Sequence, residues 1–208
     1  MAKKTSKCIE ISPENPQKKR IESAVDCIKK GGIIIYPTDT VYGIGCSIEQ
    51  KSAIEAIKLL KGKKDHQPFS FICSSIQEAS KYAHFDTDIF RVMKRVLPGP
   101  YTFLLEASKE APRTIMSKRK KVGIRIPNHN VPLEIVKQLG HPIITTSVNK
   151  SGEEHLTDPK EINDKFGHGV ALILECGVID NGQSTIVEWN DEGLNVIREG
   201  LGEIDFLE

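Results

Sequence analysis

Five short segments carry side chains able to hold an anion or a small polar molecule. The first, Pro37-Thr38-Asp39-Thr40-Val41-Tyr42-Gly43-Ile44-Gly45, sets hydroxyls, a carboxylate and two glycines directly after an apolar run. Hydroxyls both donate and accept, and glycines let a backbone approach a ligand closely. A capped turn would use the same residues. The second, Lys61-x-Lys63 with Lys64, offers ammonium groups that could clamp an oligophosphate or simply face water.

The third segment, Val122-Gly123-Ile124-Arg125-Ile126-Pro127, puts one arginine among apolar strand residues. A guanidinium there needs a partner, either an internal carboxylate or the carboxylate of a ligand taken by its planar fork. The fourth, Thr145-Thr146-Ser147-Val148-Asn149-Lys150-Ser151-Gly152, is a row of hydroxyl and amide groups suited to phosphate or ribose, or to a hydroxyl-rich turn. The fifth joins Ser184-Thr185-Ile186-Val187 to Val196-Ile197-Arg198-Glu199-Gly200, with a hydroxyl and an arginine at strand boundaries.

Other chemistries lack their signatures. There is no G-x-x-x-x-G-K-[ST], and Gly43-x-Gly45 lacks the third glycine of a dinucleotide fingerprint. The six histidines show no metal-ligand spacing and suggest no Ser/His/Asp set. Cys8, Cys27, Cys46, Cys73 and Cys176 are scattered, with no C-x-x-C, and read as reduced thiols. No resident metal is expected.

Alternating elements must position these segments. Ile21, Ala24, Val25 and Ile28 follow helical spacing before Gly31-Gly32, which predicts a helix over 17–30. A buried strand, Ile33–Tyr36, stops at Pro37 and feeds a functional loop. A helix carrying Ile54, Ile57 and Leu60 leads to a basic stretch, Lys61–Pro68, too polar for the core, and then to a strand at Phe69–Cys73. Further helices are expected near Ile89–Val96, at Val131–Leu139 and after the Asp158-Pro159-Lys160-Glu161 start signal. Further strands are expected at Tyr101–Leu105, Val122–Ile126, Ile143–Thr145, Val170–Glu175, Ser184–Glu188 and Asn195–Arg198. The fold class is α/β, and ligands of such sheets collect just beyond strand ends.

Composition agrees. With 208 residues, 38% hydrophobic and 27% charged, the chain is expected to fold as one domain over 1–208. Its longest apolar runs fall far short of the roughly 20 residues that span a bilayer. The basic start, Met1–Lys7, is followed by no apolar signal core, so a cytoplasmic protein is expected. A net charge of +1 gives no global pull on nucleic acid, although Lys61–Lys64 and Lys118–Lys121 group positive charge locally.

Taken in order, Pro37–Gly43, Lys61-Gly62-Lys63, Pro98-Gly99-Pro100-Tyr101-Thr102, Gly123–Pro127, Thr146-Ser147-Val148-Asn149-x-Ser151-Gly152, Ser184-Thr185-Ile186 and Ile197–Gly200 resemble the YrdC/YciO family. The resemblance runs from residue 20 to residue 200. It implies a twisted mixed sheet with helices on both faces around a basic cavity. It also implies threonylcarbamoyl-AMP synthase chemistry, in which L-threonine, bicarbonate and ATP yield an adenylate and pyrophosphate for tRNA modification. Thr40, Arg125, Thr145 and Ser184 would hold threonine, with Arg125 on its carboxylate. Lys61, Lys63, Gln67, Ser147, Asn149 and Arg198 would face ATP, and Lys61, Lys63 and Arg125 would support the chemistry. Mg²⁺ would arrive on ATP, and transfer to tRNA would need separate proteins.

Several positions depart from that pattern. Lys63 stands where the synthases usually carry arginine, and a lysine lacks the bidentate fork. Ile72 replaces a frequent histidine, and Lys121 and His155 replace smaller polar residues near ATP. The opening Ile9–Gln17 and the loop around Lys63–His66 look closer to the YciO branch. Two alternatives accompany the synthase reading: a divergent YciO-like protein without synthase activity that binds a nucleotide, or double-stranded RNA or tRNA through the two basic clusters, and carbamoyl-adenylate chemistry on another acceptor.

Overall fold

The computed structural model describes residues 6–62, 69–112, 120–190 and 193–205. In chain order its first half holds β1 (Lys7–Glu10), α1 (Lys18–Lys29), β2 (Ile34–Tyr36), β3 (Gly43–Ser47), α2 (Lys51–Leu60), β4 (Ser70–Ile72), α3 (Ile76–Ala79), β5 (Ala83–His84) and α4 (Thr87–Val96). There follow β6 (Tyr101–Ala107), β7 (Lys121–Arg125), α5 (Asn130–Leu139), β8 (Ile143–Ser147), α6 (Pro159–Phe166), β9 (Leu172–Glu175), β10 (Thr185–Asn190) and β11 (Gly193–Arg198).

The helix signals in the sequence correspond to real caps. Asp86 accepts from the amides of Asp88 and Ile89 at the head of α4, and Asp158 accepts from Lys160 with Pro159 in the first turn of α6. Gly140 closes α5 at φ 83°, a left-handed conformation that a side chain would oppose.

The strands make one mixed sheet in the order β1-β9-β2-β3-β8-β4-β7-β6-β10-β11, with β5 added beside β6. Parallel pairs (β1 with β9, β2 with β9, β4 with β7, β6 with β10) are interleaved with antiparallel ones. Because side chains alternate across a strand, residues paired in register share a face. One face carries Ile35, Ile44, Ile144, Phe71, Ile124, Phe103 and Val187, all buried against apolar residues of α2, α4 and α6.

The opposite face is divided. Ile34, Tyr36, Ile72, Ile143, Leu172 and Leu174 pack under Ile21, Ala24, Val25 and Ile28 of α1 and Val131, Ile135, Val136 and Leu139 of α5. Toward β7, β6 and β10 this face instead holds Thr145, Ser70, Gly123, Arg125 and Thr102 in register with one another or two residues apart. Small and polar side chains replace the apolar ones there, and a cavity opens.

Two expectations are corrected. Gly43–Ser47 is a fully buried central strand, not part of a loop, paired with β2 on one side and β8 on the other. Its glycines are needed because a Cβ at Gly45 would lie 2.6 Å from the Ile144 carbonyl, while one at Gly43 would meet the Tyr36 ring at 3.0 Å. Lys61, read as part of a stretch too polar for the core, is only 1% exposed. Its ammonium can be buried because internal oxygens receive it, as described below.

Candidate functional site: a polar cavity with two arginines

The cavity has a volume of about 450 Å³ and is lined by Thr40, Val41, Tyr42, Gly43, Ser70, Thr102, Arg125, Thr145, Thr146, Ser147, Asn149, Gly152, Glu153, His155, Gln183, Ser184, Ile186 and Arg198. That size lies within the ~300–1,000 Å³ usual for small-molecule sites. Its floor is low because Gly43 and Gly123 have no side chain and Ser70 and Thr145 have short ones; a Cβ at Gly123 would sit 2.5 Å from Ser70 Oγ.

Four of the expected substrate residues meet here. Arg125, at the end of β7, donates through Nη2 to Asp39 Oδ1 at 2.6 Å and to the hydroxyls of Thr40 and Thr38. The sequence left open whether its partner is internal or a ligand; Asp39 answers for one edge of the fork. Arg125 Nε is buried and has no hydrogen-bond partner. An orphaned donor of this kind costs about 1–3 kcal/mol unless a ligand or water receives it.

Thr38 Oγ1 donates to the Val41 carbonyl at 2.6 Å and accepts from the Thr40 amide, which fixes the loop that follows β2. Asp39 Oδ2 also accepts from the Asn128 amide, so the carboxylate is held from two sides.

Thr145 is aimed by Tyr36, whose hydroxyl donates to Thr145 Oγ1 at 2.6 Å beneath the cavity. Burial pushes the Tyr36 phenol far above its ordinary range, so it stays a donor. Ser184 and Thr102 share a hydrogen bond between their hydroxyls at 3.0 Å.

On the other wall, Arg198 of β11 donates from Nε and Nη2 to the Ser184 carbonyl and from Nη2 to the Ser184 hydroxyl. All three acceptor contacts are neutral. Burial, and then the nearby Arg125 guanidinium, lower its pKa below the ordinary arginine value. The two arginines therefore repel one another; Asp39 pairs with Arg125, and Glu153 is a second carboxylate on the cavity wall.

Ser147 and Asn149 form the third wall. Ser147 Oγ donates to Asn149 Oδ1 at 2.8 Å, and Asn149 Nδ2 donates to the carbonyls of Lys150 and Glu153. Lys61 stands behind them and not on the cavity surface. Its ammonium donates to Asn149 Oδ1 at 2.7 Å and to the Ser147 carbonyl. Lys61 thus carries positive charge to the site through the residues that it positions.

Lys63 and Gln67 lie outside the described residues, as do Lys64, Lys118 and Arg119 of the two basic clusters. Lys121 is not on the cavity wall; it pairs with Glu188 at 2.9 Å and donates to the Trp189 carbonyl. Ile72 is fully buried beneath α5, while His155 does line the cavity. Among the described residues no group of three or more His, Cys, Asp or Glu side chains could hold a metal ion, and no helix is long and apolar enough to cross a membrane.

Sequence reasoning missed Ser70 and Gln183 as lining residues. Ser70 opens a strand otherwise apolar, and only the pairing of β4 between β8 and β7 brings it beside Thr145 and Gly123.

A protein-family model for Sua5, YciO and YrdC proteins, described as telomere recombination, matches residues 26–200. The chain belongs to the Sua5/YciO/YrdC family. Within it, YciO of Escherichia coli strain K12 is 38% identical over 196 residues, covering 93% of this chain and 95% of its own. The crystal structure of E. coli YciO matches with a TM-score of 0.91 over 96% of this chain and 98% of its own. A threonylcarbamoyl-AMP synthase of Coxiella burnetii is 31% identical over 156 residues, 74% of this chain and 84% of the synthase. The crystal structure of P. abyssi Sua5 complexed with L-threonine matches with a TM-score of 0.86 at 26% identity, over 93% of this chain and 57% of that one. The family's mixed sheet flanked by helices is the fold described above.

Proposed function

We propose that this chain joins L-threonine, bicarbonate and ATP to give L-threonylcarbamoyladenylate, with release of pyrophosphate and water. The observation that carries the reading is the pair Arg125 and Arg198 in one cavity, with Asp39 countering one of them and neutral oxygens receiving the other. Such a site draws a ligand with more than one negative group, as threonine and ATP together provide. Family members named as threonylcarbamoyl-AMP synthases support it.

In this reading the amine of threonine takes the carbon of bicarbonate as a carbamate, losing water. A carbamate oxygen then attacks the α-phosphorus of Mg²⁺-bound ATP. The new bond joins that oxygen to the α-phosphorus, and the bond to the bridging oxygen breaks, pyrophosphate leaving with the electron pair. Arg125, Thr40, Thr145 and Ser184 hold threonine, with its carboxylate supplying the acceptor that Arg125 Nε lacks. Ser147, Asn149 and Arg198 hold ATP, with Lys61 behind them, and the family resemblance assigns Lys63 and Gln67 to ATP as well. Catalysis comes from positioning and charge, so no general base is required of the protein.

The adenylate would pass to separate proteins that modify tRNA, in the cytoplasm. In the described part of the basic clusters on which the RNA-binding alternative rests, Lys61 is buried and Lys121 is paired with Glu188, while Lys120 is exposed.

Pyrophosphate release measured with all substrates, and with threonine or bicarbonate omitted, tests the proposal. Release that needs both supports it; release equal in their absence removes it.

A further inference from the structure

His155 is a residue that the scheme above leaves idle. It lies on the cavity wall in the loop between β8 and α6, with its imidazole in contact with the Gln183 side chain. Its Nδ1 is buried and has no hydrogen-bond partner. The charged groups that bear on it are Lys61, at the end of α2, and Arg198, on β11; Glu153 of its own loop lines the same cavity.

We propose that His155 is neutral in the free protein and takes up a proton when an oligophosphate enters the cavity, joining Arg198 as a cation on the wall that holds it, with the buried Lys61 charge behind. The geometry motivates this. A charged imidazole beside two other cations would be repelled, and its Nδ1 proton would have no acceptor. An oligophosphate reverses the local potential and brings oxygens to the wall. Burial, Lys61 and Arg198 all lower the pKa of His155 in the empty site, with Gln183 opposing them. An entering polyanion opposes the same terms. The site then holds one more positive charge when ATP is bound than when pyrophosphate has gone, which makes phosphate binding tighter as pH falls. This rests on the proposed function only in taking the ligand to be an oligophosphate.

Isothermal titration calorimetry of the full chain, with MgATP and separately with inorganic triphosphate, tests it. Running each in two buffers of different ionisation enthalpy at pH 7 counts the protons bound. The wild type is expected to take up a measurable fraction of a proton per ligand, and its affinity to rise from pH 8 to pH 6, by up to about tenfold per unit. His155→Gln is expected to lose that uptake and that slope, and His155→Asn serves if the first variant is not folded by circular dichroism. Because each variant meets the same ligand, protonation of the phosphate itself cancels. Equal proton counts in wild type and variant, no uptake in the wild type, or binding of neither probe would each overturn the proposal. Proton-linked MgATP binding without threonine-dependent product would leave it standing and remove the synthase reading. Product formation with proton-neutral binding would do the reverse.

Discussion

Asp39 and Arg125 meet at 2.6 Å across 86 positions of sequence, and their side chains are each only 11% exposed. The pair ties the loop after β2 to the end of β7, and it sets how much of the guanidinium remains for a ligand. Asp39→Asn keeps the shape and removes the charge. Its unfolding free energy in urea is expected to fall by up to about 3–5 kcal/mol, the range for a broken buried pair. Affinity for inorganic triphosphate is expected to rise in the same variant, because Arg125 loses its counter-ion. A parallel loss of stability and affinity would contradict this account of the pair.

Lys61 acts on the cavity without touching it. Lys61→Met retains the buried stem and withdraws the ammonium from Asn149 Oδ1 and the Ser147 carbonyl. A loss of about 1.5–3 kcal/mol of stability is expected, the range for a hydrogen bond to a charged group. ATP affinity should fall with it, and threonine affinity should change little. Calorimetric titration of the two ligands separates these effects.

The floor depends on a missing side chain. Gly123→Ala would set a Cβ 2.5 Å from Ser70 Oγ, which is expected to cost about 1–3 kcal/mol of overpacking. Ser70→Gly added to it removes both the hydroxyl and the Ser70 Cβ that lies 3.1 Å away. A double-mutant cycle by thermal unfolding should therefore show recovery of most of the loss. Simple additivity would mean that the clash is absorbed elsewhere.

Tyr36 and Tyr42 link stability to high pH. Burial raises both phenols above their ordinary value of 10. The folded state then retains protons that the unfolded chain releases, so this contribution is whole below pH 10 and is lost as pH climbs above it. Tyr36→Phe should remove its share of that alkaline slope. At neutral pH it should cost about 1 kcal/mol through the hydrogen bond lost to Thr145. Urea midpoints from pH 7 to pH 11 provide the check.

Much of this architecture was legible in the residues. The helix expected over 17–30 is α1 at Lys18–Lys29, and Asp158 and Pro159 open α6 as their types require. The segments holding Arg125, Thr145, Ser147, Asn149, Ser184 and Arg198 stood out because ligands of α/β sheets collect beyond strand ends, the resemblance named the individual residues, and they do converge on one cavity. What escaped was decided by partners distant in sequence. β1 is a mostly exposed edge strand, visible only through its parallel pairing with β9. β3 has glycine at alternate positions because the Tyr36 ring and the Ile144 carbonyl occupy the space, a constraint with no local mark. The burial of Lys61 follows from oxygens 86 and 88 residues away, so its neighbouring glycine and charges pointed to solvent instead.

The central claim is that the cavity between Arg125 and Arg198 assembles a carbamoylated amino acid on the α-phosphate of ATP. The most direct measurement supplies the protein with MgATP, L-threonine and ¹³C-bicarbonate and follows the adenylate by mass spectrometry, beside Arg198→Ala. The account predicts a threonine-dependent adenylate carrying the ¹³C label in the wild type and its loss in the variant. ATP binding with no labelled adenylate, or a product of the same yield from Arg198→Ala, would contradict it.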